Sequence, residues 1–546
     1  MTATTLHPPA RAARREGALS GTGLLLRMWL RRDRIMMPAW IYGLTAYVSS
    51  NAYSFEHEYG TPEALASFTR GINGNPSTRA LYGPVLDGGT AGGLAVWRVG
   101  ATGAAFTAVM CVLLVVRHTR AEEETGRLEL VGAAAVGRRA PLTAALLTAV
   151  TAAAALAAVA TAVLILFGLP AAGSAALGLS WFGAGLVFSG VAALTAQLAE
   201  TSRLANGLAF TVLGAAYLVR GVADAGSAHW LSWLSPIGWA QHVRPCAGER
   251  WAVLLLPLAA AALLTAAAYA LTGRRDLGAG ILAPSAGPAG AAPWLRSPLA
   301  LSWRMQRGTL LGWSAAFLVY GLAVGGVAAG AGDLAGDNAA IADHIRELGG
   351  QRNLTDALLA TSMGLMGLFT AAYAVQSVLR LRAEEAGGRL EPVLATAVGR
   401  VRWAVANLAV TVAGTAVLLA LTGLAVGLVH GARTHDLGGQ LPRQLGAALA
   451  QLPSVWVVAA AAFLVFGLLP RAAAAGWGVL TVCLLLGQMG PLLDLPQAVL
   501  DVSPFTHTPK LPGADFTPLP LIALTAAAAA LAAAGLLAFR RRDIAA

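Results

Sequence analysis

The sequence predicts an all-α polytopic membrane protein of two tandem six-helix transmembrane units, 12 spans in all, with the N- and C-termini cytoplasmic. Three observations carry that reading. Only 12% of the 546 residues are charged and 57% are hydrophobic, whereas soluble domains are about a quarter charged. The apolar residues gather in uncharged runs such as 140–170, and about 20 such residues cross a bilayer. A charged block at 120–129 returns 262 positions later, at 382–391, so the chain is a duplication.

The elements follow in order. Residues 1–34 form an arm with Arg11, Arg14 and Arg15, and no short apolar core with a small-residue cleavage site follows it. No signal peptide is expected. Residues 35–272 form the first unit, with spans near 35–54, 96–116, 141–168, 175–199, 204–222 and 251–272. Residues 273–307, rich in Gly, Pro and Ala, form a cytoplasmic linker. Residues 308–546 form the second unit, with spans near 308–330, 356–379, 403–430, 448–469, 472–490 and 517–539. Alanine and glycine dominate many spans, and small residues let helices approach closely in lipid. The segments 55–95 and 331–355 are expected outside, with a short amphipathic helix at 61–72.

Arginine sets the orientation. With the N-terminus inside, 27 of the 38 Lys and Arg residues fall on the cytoplasmic side. The net charge of +11 and the pI near 10.3 are then topology signals, and no nucleic-acid partner is expected. The three cysteines, Cys111, Cys246 and Cys483, are scattered. They form neither a disulfide framework nor a metal spacing.

The repeat carries the chemistry. Arg120, Glu122, Glu123, Gly126, Arg127 and Glu129 pair with Arg382, Glu384, Glu385, Gly388, Arg389 and Glu391. A V-G-R triplet follows at 136–138 and again at 398–400. R-R-D at 274–276 returns at 541–543, and Ser235-Pro236 returns as Ser503-Pro504. Six spans per unit keep both units in one orientation, as in parallel repeats, with a pathway expected where they meet. As a helix, each block would bridge Glu123 to Arg127 and Glu385 to Arg389. Such pairs contribute only a few tenths of a kcal/mol, so stability alone does not ask for these charges. Successive carboxylates at Glu122–Glu124 face different ways, so no metal is expected. A merely solvated loop has no reason to repeat its charges. A docking helix for a cytoplasmic partner has one.

This pattern, between the second and third of six spans, resembles the integral membrane subunits of ABC-2-type exporters. The fused twelve-span form is similar to the actinobacterial permeases of the polyketide-antibiotic (tetronasin-type) exporter family. The resemblance covers the chain from about residue 24 to its end. It implies that Arg120 to Glu129 and Arg382 to Glu391 are coupling helices docking on ATP-binding subunits. It makes Leu25–Arg34 and Leu301–Gly308 interfacial connecting helices, and it places short re-entrant helices at the exit, with Ser235, Pro236, Trp239, Ser503 and Pro504 as gate residues, although indole rings in such loops equally serve as anchors at the headgroup level. Spans two and five of each unit would line the path of a bulky amphipathic or hydrophobic compound, which nominates Asn206, Met363, Tyr373 and Trp477. Pro392 stands where Leu130 does, so the second coupling helix is expected to end earlier.

No phosphate loop G-x-x-x-x-G-K-[ST] exists here, and the one lysine is Lys510. ATP and Mg are therefore expected on two copies of a separate ATP-binding subunit, with no cofactor on this chain and no catalytic residue. An ion-coupled secondary multidrug transporter is the rival reading. It wants ionisable groups inside the membrane, and no Asp or Glu lies well inside a predicted span. A membrane enzyme would want acidic or His clusters, and the histidines, His344 among them, are scattered.

Overall fold

The computed structural model describes residues 17–58, 61–132, 136–276, 278–282, 287–328, 354–489 and 496–543. Arg11, Arg14, Arg15, His344 and nearly all of 331–355 lie outside the described residues. The chain divides into two compact units, Met1–Gly287 and Pro288–Ala546.

Unit 1 begins with α1 (Thr22–Arg32). It is amphipathic, and Leu25 and Trp29 pack on Ala140, Ala144 and Ala145. A turn at Asp33 redirects the chain into α2 (Met36–Glu58). Two short helices, α3 (Pro62–Gly74) and α4 (Pro76–Tyr82), follow. Thr61 and Asn75 cap them, each accepting backbone N–H groups of the first turn. The long helices are α5 (Ala91–His118), α8 (Ala140–Leu166), α9 (Ala171–Leu198), α10 (Ser202–Ala225) and α12 (Leu255–Thr272). Between α5 and α8 lie α6 (Arg120–Glu124) and α7 (Arg127–Gly132), and α11 (Pro236–His242) precedes α12. Helix α9 is the centre of the unit, packed against α5, α8 and α12. Its Trp181 ring lies across Gly103 of α5, where a Cβ would sit 1.9 Å from the indole. The indole N–H donates to Gly100 O at 3.0 Å. Only glycine admits that ring, and van der Waals packing of this kind holds helices together in lipid.

Unit 2 contains α13 (Pro298–Ala328), α14 (Leu354–Ala386), α15 (Leu390–Leu394), α16 (Arg400–Arg433), α17 (Leu437–Leu449), α18 (Leu452–Leu468), α19 (Ala475–Met489), α20 (Gln497–Leu500) and α21 (Pro518–Arg541). Helices α13 and α16 pack along their length, as do α18 and α21, and α14 lies against α16 and α18. Gly414 of α16 meets the Tyr373 hydroxyl, where a Cβ would approach to 2.2 Å.

Ten helices among the described residues are long and apolar enough to cross a membrane, not twelve. Helix α2 is 23 residues long, but its second half, SSNAYSFEHE, is polar. The described part of α19 has 15 residues, about 22 Å against a hydrocarbon core of about 30 Å. Leu166, Leu263 and Leu519 are largely exposed, as lipid-facing side chains are. The segment Leu301–Gly308 is not a separate connecting helix, because α13 runs through it unbroken from Pro298.

Candidate functional site

The duplicated block does not form the continuous helix its spacing predicted. Gly126 (φ +68) and Gly388 (φ +66) break it in each unit. Glycine takes that left-handed backbone at no steric cost. The bridges Glu123–Arg127 and Glu385–Arg389 are therefore not made. Each block instead splits into a buried first half and an exposed second half.

The first half is tied into its own unit. Arg120 is 1% exposed. Its guanidinium donates to Ala196 O at 2.7 and 3.1 Å, to Ala279 O at 3.0 Å and to Glu123 Oε2 at 2.7 Å. Ala196 lies in the last turn of α9, where carbonyls lack intrahelical partners. Glu123 also receives Arg275 at 2.6 and 2.8 Å, and Arg275 Nε reaches Gln197 Oε1 at 2.7 Å. Glu122 pairs with Arg32, the last residue of α1, and, at 3.9 Å, with Arg127. Glu124 accepts from Ser202. Three consecutive glutamates thus serve three different partners. Just before them, buried His118 meets buried Asp33 at 2.5 Å and stacks on Trp29, which fixes α1 to the end of α5.

Unit 2 repeats the central pair. Glu385 meets Arg542 at 2.8 Å and Arg382 at 3.7 Å. Arg542 lies over the Phe466 and Phe539 rings, 4.7 and 5.1 Å from their centroids. Glu384 pairs with Arg389 at 2.9 Å. Arg275 and Arg542 are the same position of the R-R-D repeat. The V-G-R arginines close the arrangement: Arg138 donates to Arg275 O at 3.1 Å, and Arg400 donates to Arg542 O at 2.9 Å. The three repeated motifs are one clamp, in which the arginine after the last helix of each unit is held by its side chain and by its carbonyl. Helices α12 and α21 need that anchor, since only 17% of the spanning window of each is buried.

The second half is exposed. Leu128 and Leu390 are buried as pegs, while Arg127, Glu129, Leu130, Arg389, Glu391 and Pro392 are exposed. Pro392 does not shorten α15 appreciably, because it sits in the first turn, where its missing N–H has no partner to lose. A cavity of about 430 Å³ lies behind α7, bordered by Glu123, Leu128, Arg138 and Arg275.

The other nominated residues are placed as follows. Met363 and Tyr373 are buried in the core of unit 2. Asn206 and Trp477 lie on partly exposed faces of α10 and α19. Ser235 is fully buried: it caps α11 at Pro236 and donates to Ala216 O at 2.7 Å. Trp239 donates to Trp233 O at 2.6 Å. Ser503 is buried beside Pro504, whose carbonyl accepts from Ser454 at 3.0 Å. The sequence reading missed an ion pair inside a span, Arg220 and Asp224 of α10 at 3.3 Å, with Arg220 also on Ala80 O and Leu81 O. Its signal was R-x-x-x-D within an apolar run.

Ten apolar helices and clamped charges at the ends of these helices define a multi-pass membrane protein. Comparison with known proteins makes it specific. The chain is 44% identical over 539 residues to the multidrug efflux system permease protein Rv1217c of Mycobacterium tuberculosis, covering 98% of this chain and 97% of that protein. Residues 295–540 match the family described as multidrug efflux system permease Rv1217c, C-terminal domain. The chain belongs to this permease family and is a transporter component, not an enzyme.

Proposed function

We propose that the chain is the permease subunit of an ABC-2-type efflux pump in the plasma membrane, its termini cytoplasmic, driven by two copies of a separate ATP-binding subunit. The observation that carries the reading is the split of each repeat. Its buried half is a clamp, and its exposed half (Arg127, Glu129, Leu130; Arg389, Glu391, Pro392) is a charged docking face on a short, pegged helix. ATP and Mg belong to the partners. Their closure presses on α7 and α15. The push passes through Glu123–Arg275 to α5, α9 and α12, and through Glu385–Arg542 to α14 and α21. Rigid-body tilting of packed helices is a common response to such a push. The proposed cargo is a bulky amphipathic or hydrophobic compound of the polyketide-antibiotic type. The name of the relative, a multidrug efflux permease, supports drug efflux, and the cargo class rests on the resemblance of the repeated motifs.

The test is co-purification in mild detergent. A Walker-motif ATPase should accompany the chain, and the double variant Glu129→Arg/Glu391→Arg should release it and abolish drug efflux. Unfolding should shift by no more than about 0.5 kcal/mol, as for exposed sites generally. If no ATPase is retained, the reading fails. An ion-coupled carrier then takes its place, with the buried Arg220–Asp224 pair as its starting point.

A further inference from the structure

Unit 1 holds a second cavity, at the end of α5 opposite the clamp. Trp97 borders it, and Arg120 lies roughly 35 Å away along the helix. The cavity measures about 140 Å³ and is walled by Tyr82, Leu86, Trp97, Gln241, His242 and Arg244. These walls are already fixed. Trp97 Nε1 donates to Gly83 O at 2.8 Å, and Gln241 Nε2 donates to Tyr82 O at 3.0 Å. His242 stacks on Trp233 at 4.0 Å and meets Ser232 Oγ at 2.8 Å. Burial, helped by Arg244 and Arg250, lowers the His242 pKa to about 4, so the ring is neutral near pH 7.

Two carboxylates border the cavity, and both are engaged. Asp87 accepts from Gly89 N–H and from Thr90 Oγ1, each at 3.1 Å. Asp224 is paired with Arg220. Arg244 is different. Its Nε–H is buried and meets no acceptor, and among the described residues no carboxylate lies within ion-pair distance of it. The Nε–H groups of Arg79, Arg117, Arg220 and Arg542 also lack a hydrogen-bond acceptor, but each of those guanidiniums meets a carbonyl or a carboxylate. The backbone there is also unusual. Arg244 (φ 55) and Cys246 (φ 59) are both left-handed, which non-glycine residues seldom are, and such strain gathers at ligand clamps. Hydrogen bonds from Ala247 N–H to Arg244 O at 3.0 Å and from Arg250 N–H to Val243 O at 2.8 Å hold the turn.

We propose that this cavity binds an acidic amphipathic compound. A ring-sized apolar body seats against Leu86 and Trp97, and a carboxylate or phosphate meets the Arg244 guanidinium. A cavity of this size accommodates about one ring, and a guanidinium fork matches either oxyanion. A free organic acid and an anionic lipid headgroup share this chemistry. Binding is a property of unit 1 in the full chain and stands apart from the ATP-driven reading.

Equilibrium dialysis of the purified full chain against benzoate, benzyl alcohol and benzylamine tests it. Benzoate should bind saturably, roughly tenfold or more tighter than the alcohol or the amine. Arg244→Gln should lose that advantage, and Arg244→Lys should keep part of it. Gel filtration checks that the variants remain folded. Trp97→Phe should weaken all three compounds alike. Added phosphatidylglycerol separates the sources: displacement of benzoate assigns the site to a lipid headgroup, and no displacement assigns it to a free acid. Equal binding of the three probes, or unchanged benzoate binding by Arg244→Gln, overturns the proposal.

Discussion

Unit 1 and unit 2 carry the same clamp on different interiors. In both, a glutamate of the repeated block holds the arginine that follows the last helix, and the V-G-R arginine holds that arginine's carbonyl. Behind the clamp the likeness stops. Val115, Ala145 and Ala149 of unit 1 are fully buried and apolar. Ser377, Asn407 and Thr411 stand 262 positions later. They join Ser302 and Gln306 in a buried network: Ser377 to Gln306 at 2.5 Å, Ser377 to Thr411 at 2.6 Å and Ser302 to Asn407 at 2.9 Å. Lipid supplies no hydrophobic drive between helices, so association rests on close packing and hydrogen bonds, and either set suffices. The difference teaches that the duplicated architecture depends on its charged ends and is tolerant of its middle.

Substitutions at three places break or sharpen that comparison. The largest effect is expected at Arg120. Arg120→Leu strips Ala196 O of its buried donors and takes one of two arginines from Glu123, which keeps Arg275, and should cost about 3 kcal/mol. Arg382→Leu removes a 3.7 Å contact from a side chain one-third exposed, and should cost under about 1 kcal/mol. Thermal unfolding in detergent reads the gap, and equal costs would show that the two clamps are not graded as described. Next is Gly414→Ala, whose new methyl meets the Tyr373 hydroxyl. Overpacking of this kind costs about 1–3 kcal/mol, although the matching residue of unit 1 is Ala152, which is fully accommodated. Adding Tyr373→Phe should recover part of the loss in the same assay. The smallest effect is at the network. Asn407→Ala should cost about 1 kcal/mol by removing the acceptor of the Ser302 hydroxyl. Replacing all five polar residues by apolar ones (Ser302→Ala, Gln306→Leu, Ser377→Val, Asn407→Ala, Thr411→Ala) should return the unfolding temperature toward that of the parent. A further drop would mean the network is required rather than tolerated.

The helical class was readable from composition, and the repeated blocks from direct comparison of the two halves. The glycines at 126 and 388 were visible in both copies as well, yet their helix-breaking role was not assigned. Periodicity reports which residues share a face only while the helix continues, and one left-handed residue ends that inference. The echo of R-R-D was also visible. Its meaning was not, because Glu123 and Arg275 are 152 residues apart, and Glu385 and Arg542 are 157 apart. The two expected spans outside the ten long apolar helices are α2, whose second half is polar, and α19, whose described part is 15 residues long.

By itself the sequence determined the class, the duplication and the sites where charge gathers, since these follow from transfer energies and residue spacing. The tertiary structure alone decided which charges are spent inside each unit and which remain to meet a partner. A charge pair forms where helix ends converge, and that convergence is set by contacts such as the Trp181 ring on Gly103 far along the same helices.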